Sequence, residues 1–241
     1  MGRHGTIAGR KASQDSKRAA LFTKYAKAVT LAAKNGGDPD YNPALRLAIE
    51  KAKSISMPND NIKRAIMKGT GELGGETLTE LTFEGYGASG VAVIVEAVTD
   101  NTNRTTSAVR SCMDKYGGNL GTPGCVSYMF STKGVLVVEK EDGMDEDTVL
   151  EDALNAGADD MVTTEDSFEI YTEPSTFAEV HKNLTDAGYT FISAEVEKIP
   201  SMETEPKPED LKNLKKMIEV LEDNEDVQNV YTNSKVDLYE D

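Results

Sequence analysis

The sequence predicts a mixed α+β protein of three domains: an N-terminal helical bundle, then two ferredoxin-like α/β sandwiches, the third inserted into the second. Three observations predict it. Apolar residues recur at helical spacing through residues 1–75 and at strand-like spacing afterwards. Residues 133–200 run strand, helix, strand, strand, helix, strand, the order of a split βαβ sandwich. Residues 76–132 are one helix and one strand short of that count, and the C-terminal residues 201–241 offer that pair. The expected domains are therefore 1–75, then 76–132 completed by 201–241, with 133–200 as an insertion.

Element by element, Phe22, Ala26, Val29 and Ala33 fall within about 60° of arc when plotted at 100° per residue. They mark a helix between Ser13 and Asn35, with Lys17, Lys24 and Lys34 on its opposite side, ended by Gly36-Gly37. Asn42 followed by Pro43 pairs a helix cap with the residue best suited to a first helical position. Leu45, Ala48, Ile49 and Ala52 form that helix's buried stripe. Met57-Pro58 restarts the chain into a third helix carrying Ile62, Ala65 and Ile66, which ends at Gly69. Thr70–Glu76 reads as a linker. Leu81–Tyr86 and Val91–Thr99 read as strands, 103–116 as a helix, and Val126–Phe130 as another strand. In the insertion, strands at Gly134–Glu139, Met161–Thr164, Phe168–Thr172 and Thr190–Val196 alternate with helices at Met144–Ala156 and Ser175–Ala187. A helix over 208–221 and a strand at Val227–Thr232 close the chain.

Charge is divided by position. Residues 1–70 hold 14 Lys and Arg against 5 Asp and Glu, a net +9, while the remainder holds 12 against 37, a net −25. An overall pI near 4.6 argues against nucleic-acid binding. The local field of the head argues for it, because binding depends on the charge of one face. The candidate phosphate contacts are Arg3, His4, Arg10, Lys11, Lys17, Arg18, Lys24 and Lys27, with Lys63, Arg64 and Lys68 as a second cluster. Asn101, Asn103 and Arg104 add polar donors just after a buried strand, where they can read bases or sugar hydroxyls. Asn103 could equally cap the helix that follows.

Other chemistries are poorly represented. Gly85-x-Gly87-x-x-Gly90 matches a dinucleotide fingerprint literally, but that site needs a helix after it and Val91–Val98 reads as a strand. The glycines suit a tight hairpin instead. Asp38-x-Asp40-x-Asn42 opens like a calcium loop, then places Pro43 where glycine is needed and Ile49 where glutamate is needed. Asp40 and Asn42 are read as helix caps. With His4 and His181 the only histidines and no Cys/His cluster, no metal site is expected. His181 reads as a surface helix residue, and acidic blocks such as Asp142–Asp147 and Glu219–Asp226 as solvated helix ends. Cys112 and Cys125 read as reduced core residues in a cytosolic protein. No apolar run is long enough for a membrane span. The basic opening matches myristoylation and transit-peptide patterns in part, but is read as part of the mature fold.

Several stretches resemble the YebC/PmpR family, which includes the mitochondrial translational activator of cytochrome c oxidase. They are Arg10–Arg18, Asn42-Pro43, Met57–Ile66, Lys68–Glu72, Glu84–Gly87, Asp100–Thr105, Gly117–Gly121 and Val126–Phe130. One departure is the short Gly5–Gly9 in place of a Ser-Lys-Trp-like stretch; the chain has no Trp. The resemblance implies three domains in a cleft-forming arrangement and no enzymatic activity. It implies either a ribosome-associated translation factor that relieves stalling at proline-rich stretches or a DNA-binding transcriptional regulator. The translation factor is favoured, because the face around Ile62–Met67 reads as a packing surface and not as a recognition helix. Expected partners are the ribosome, rRNA or tRNA, or DNA, for a cytoplasmic, monomeric protein with no cofactor, no membrane and no small-molecule substrate. A nucleotide-using enzyme built on the Gly85–Gly90 loop is the remote third reading.

Overall fold

The structure is a computed structural model and describes residues 7–74, 77–141 and 143–238, with the side chains of the first helix described from Ala19 onward. It contains two antiparallel four-stranded sheets and seven α-helices among the described residues. The chain forms two compact units, Met1–Tyr128 with Glu203–Asp241, and Met129–Met202. No helix among the described residues is long and apolar enough to cross a membrane.

The first unit opens with helices α1 (Ile7–Ala33), α2 (Pro43–Ser54) and α3 (Asn59–Gly69). Asn42 starts α2 and also fixes the preceding turn. Its side-chain oxygen accepts from Leu45 N at 3.0 Å, while its amide donates to the carbonyls of Ala32 and Gly36, both at 2.8 Å. Asp40 does not cap: its carbonyl accepts from Arg46, and its own N–H donates to the Asp38 carboxylate. Val29, Ala33, Leu45, Ala52, Met57, Ile62 and Ala65 form the buried centre of this bundle. Helices α1 and α3 approach closely at Gly69, where a Cβ would lie 2.3 Å from the Thr30 carbonyl oxygen. Only glycine allows that approach. Thr30 Oγ1 donates to Ala65 O at 3.1 Å beside it.

The same unit contains β1 (Thr79–Tyr86), β2 (Ala92–Thr99), α4 (Thr102–Lys115), β3 (Asn119–Leu120), α7 (Pro208–Glu222) and β8 (Val227–Thr232). The sheet order is β3-β1-β2-β8, so the C-terminal strand pairs with β2. Strand alternation sends Val93, Val95 and Ala97 to one face. There they meet Val109 and Met113 of α4 and Leu214, Met217, Ile218 and Leu221 of α7. The β1–β2 turn holds α7 in place: Ser89, at φ 58°, donates from Oγ to Asp210 at 2.6 Å and accepts from Lys207 N.

The strand expected at Val126–Phe130 is absent. A short 3₁₀ turn, Ser127–Met129, occupies the segment, and Phe130 instead begins β4. The cause is Glu84 on β1. Its buried carboxylate accepts from Gly124 N at 2.8 Å, Val126 N at 3.0 Å and Ser127 N at 2.9 Å. These amides serve a side chain and not a ladder. The short β3 pairs with β1 instead, at Gly85 and Tyr86. Gly85 permits it, since a Cβ there would stand 2.3 Å from the Asn119 carbonyl oxygen. Burial pushes the Glu84 carboxyl up, but the three backbone donors outweigh it and hold the carboxyl below its ordinary value.

The second unit contains β4 (Phe130–Glu139), α5 (Glu146–Ala156), β5 (Asp160–Thr163), β6 (Ser167–Thr172), α6 (Phe177–Asp186) and β7 (Ser193–Pro200). Its order β5-β6-β4-β7, antiparallel throughout, is the split βαβ arrangement. Leu136, Val138, Phe168 and Ile170 from the sheet, with Val149, Ala153, Val180 and Leu184 from the helices, are buried. His181 is not a plain surface residue. It is half-buried, between the rings of Phe177 and Phe191 at 6.3 and 5.0 Å.

Candidate nucleic-acid interface

The candidate interface is built where the helical head meets the end of β2. Strand β2 finishes at Thr99, the chain turns through Asp100, and Asn101 caps α4 by accepting from Arg104 N at 3.0 Å. The cap is Asn101 and not Asn103, which leaves Asn103 exposed on the first turn of α4. The cap directs the Arg104 guanidinium toward Asp226, which lies in the turn before β8.

Asp226 is the pin of the site. It is 2% exposed, and its backbone carbonyl accepts from Val98 N at 2.8 Å, which locks it to β2. Its carboxylate accepts from Lys27 Nζ of α1 at 2.5 Å, from Arg104 of α4 at 2.8 and 3.0 Å, and from the Thr105 hydroxyl at 2.8 Å. Three segments distant in sequence meet on one acid. Burial pushes this carboxyl up; the hydrogen bonds from Lys27, Arg104 and Thr105 outweigh it and hold it below its ordinary value. The block Glu219–Asp226 is thus not simply a solvated helix end, since its last residue is buried and serves two cations. Nothing local reveals this: the partners lie 199 and 122 residues away.

Around this pin lies a groove of about 410 Å³. Lys27, Arg64, Lys68 and Arg104 line it, so four of the cations singled out from sequence come together in one place. Lys27 and Arg104 are held by Asp226. Arg64 and Lys68 stand exposed on α3, with Lys63 beside them. Asn61, overlooked in the sequence, also lines the groove, as do the acids Asp100 and Glu225. Its signal was present, because Asn61 lies at helical spacing from Arg64 and Lys68.

The side of α1 opposite its apolar stripe is partly engaged within the unit. Lys34 Nζ donates to Leu78 O at 2.8 Å, and Lys24 is half-buried near Glu222 of α7. Burial still pushes the Glu222 carboxyl up, with Lys24 acting against it. Helix α3 divides its Ile62–Met67 stretch between two faces: Ile62 and Ala65 are buried with Ile66 packed beside them, while Lys63, Arg64 and Met67, with Lys68, form an exposed, mostly cationic face. Arg3 and His4 lie outside the described residues. Arg10, Lys11, Lys17 and Arg18 lie on α1 before the point where its side chains are described.

Comparison with known proteins agrees with this architecture. Residues 3–72 match the family model described as TACO1/YebC protein N-terminal domain, and residues 78–234 match that of the TACO1/YebC second and third domain. A protein of Clostridioides difficile strain 630 named "Probable transcriptional regulatory protein" is 52% identical over 239 residues, covering 98% of this chain and 100% of the relative. One of the same name from Geobacillus sp. strain WCH70 is 54% identical, covering 94% and 93%. The crystal structure of a conserved hypothetical protein, Aq1575, from Aquifex aeolicus superposes with a TM-score of 0.82 at 42% identity, covering 92% of each chain. With both of its segments matched and relatives above 50% identity along nearly its whole length, this chain belongs to the TACO1/YebC family.

Proposed function

We propose that this chain is a non-enzymatic, nucleic-acid-binding regulator of gene expression, acting in the cytoplasm as a monomeric, ribosome-associated translation factor that relieves stalling. The observation that carries the reading is the groove, where cations from α1, α3 and α4 gather, with exposed Asn101 and Asn103 flanking its lining residues Asp100 and Arg104 in the chain. Phosphate contacts supply affinity and the asparagines supply hydrogen bonding to bases or sugars. The second unit holds 4 Lys against 18 Asp and Glu, a net −14, so it is repelled by the polyanion that the head attracts. A particle of folded RNA, recognised by shape and by unpaired residues, suits a groove better than a uniform duplex does.

A DNA-binding transcriptional regulator is the second reading. It is supported by the names of the relatives and by the exposed cationic face of α3, which follows α2 after a short turn through Ile55–Pro58.

Gradient sedimentation with ribosomes, paired with selection from a random DNA pool, separates the two. The expected result is co-sedimentation with ribosomes or large subunits at moderate salt and no DNA sequence preferred over bulk by about 10³. Asn103→Ala combined with Lys63→Ala should reduce the ribosome-bound fraction severalfold. Arg104 is unsuited to this test because its loss also disturbs Asp226. A selected DNA motif with that preference, together with absence from ribosome fractions, would transfer the function to transcription.

A further inference from the structure

The groove differs from a simple phosphate-binding strip. Its wall is apolar, made by Phe22, Ala26, Ala65 and Leu78. Two acidic residues line it together with the cations: Asp100, one oxygen of which accepts from Arg104 at 2.8 Å, and Glu225. Carboxylates repel phosphate but accept hydrogen bonds from exocyclic amines and ribose hydroxyls. Asn61 adds an amide that can both donate and accept, as a base edge requires. Arg64 and Lys68 are exposed, while Lys27 is fixed by Asp226 and the Glu225 carbonyl at 2.5 and 3.2 Å. The volume, about 410 Å³, lies within the range of small-ligand pockets.

We propose that this groove takes a single unpaired nucleotide, either an extruded base or the end of a single strand. The base lies against the apolar wall within reach of Asn61, sugar and amine donors meet Asp100 and Glu225, and the phosphates meet Arg64 and Lys68. This rests on the nucleic-acid reading above and narrows it to unpaired RNA. A duplex keeps its bases stacked and paired and can offer the groove only its backbone.

The test uses the full chain and two RNA probes carrying the same number of phosphates, one single-stranded and one a blunt duplex, measured by fluorescence anisotropy at one fixed salt concentration. Counterion release alone favours the duplex, with a slope of about −0.9 per phosphate against about −0.7 for a single strand. Preference for the strand therefore cannot come from charge. The single strand is expected to bind about 10-fold or more tightly than the duplex, in line with the stacking of one base on an aromatic or apolar surface. Asn61→Trp, which fills the groove, should abolish that advantage and leave duplex binding within about twofold. Asn61→Ala is the milder variant and should weaken strand binding severalfold while leaving duplex binding within about twofold. Equal affinity for strand and duplex, or variants that weaken both alike, would overturn the inference while leaving nucleic-acid binding intact. Failure of both RNAs to bind at low salt would remove the inference and the nucleic-acid reading together.

Discussion

Replacing Asp226 with alanine will weaken the first compact unit by about 2–3 kcal/mol. Removing one member of a buried charge cluster costs about 3–5 kcal/mol when the remaining charges are trapped. Here the figure falls, because Lys27 and Arg104 retain access to water, with side chains 14% and 48% exposed. The loss should appear as a lower urea midpoint for the transition of the unit that contains β2 and α7, with the transition of Met129–Met202 unmoved. RNA affinity should fall as well, even though the substitution makes the chain less acidic. The two cations lose the acid that positions them, and that outcome separates positioning from bulk charge. Higher affinity in the variant would mean that Asp226 only neutralises Lys27 and Arg104.

Glu84→Gln is expected to cost about 3 kcal/mol at neutral pH. Three backbone donors converge on the carboxylate, and a hydrogen bond to a charged group is worth about 1.5–3 kcal/mol. An amide keeps one acceptor oxygen and turns N–H groups toward donors. The effect has a defined pH dependence. The Glu84 carboxyl titrates lower in the folded chain than in the unfolded one, so its contribution is complete above the unfolded value and is lost as pH falls through the folded value. The stability difference between parent and variant should therefore shrink as acid is added. Equal denaturation midpoints at neutral pH would show that the Gly124–Ser127 turn does not depend on this anion.

These two acids also mark the limit of what the sequence discloses. Asn42-Pro43 is legible because a cap and its helix are neighbours in the chain. The return of α7 and β8 to the first sheet is legible because a helix and a strand stand unused after Pro200, and β8 does pair with β2. The start of α1 at Ile7 is less legible, because Gly9 and Ser13 are weak helix formers and the apolar stripe begins only at Phe22. Val126–Phe130 reads as a strand from its composition, and only Glu84, some 40 residues earlier, turns its amides away from a ladder. Asp226 reads as one more acid in an acidic run until the fold brings Lys27 and Arg104 to it. The cations of the groove are visible individually. Their convergence, and the apolar wall between them, depend on α1 and α3 closing at Gly69.

The central claim is that the cationic face of the head is the nucleic-acid interface, and the salt dependence of binding tests it most directly. If about five phosphates are contacted, log K against log salt for single-stranded RNA should slope about −3.5, and for duplex about −4.5. Lys63, Arg64 and Lys68 are exposed on α3, so converting all three to glutamine should leave the fold intact. The slope should then become shallower by about 2, with affinity lower by more than about 10-fold at physiological salt. Lys182→Gln in the acidic unit, placed on α6, should change neither quantity. A triple variant whose slope and affinity match those of the parent would place the interface elsewhere and contradict the reading.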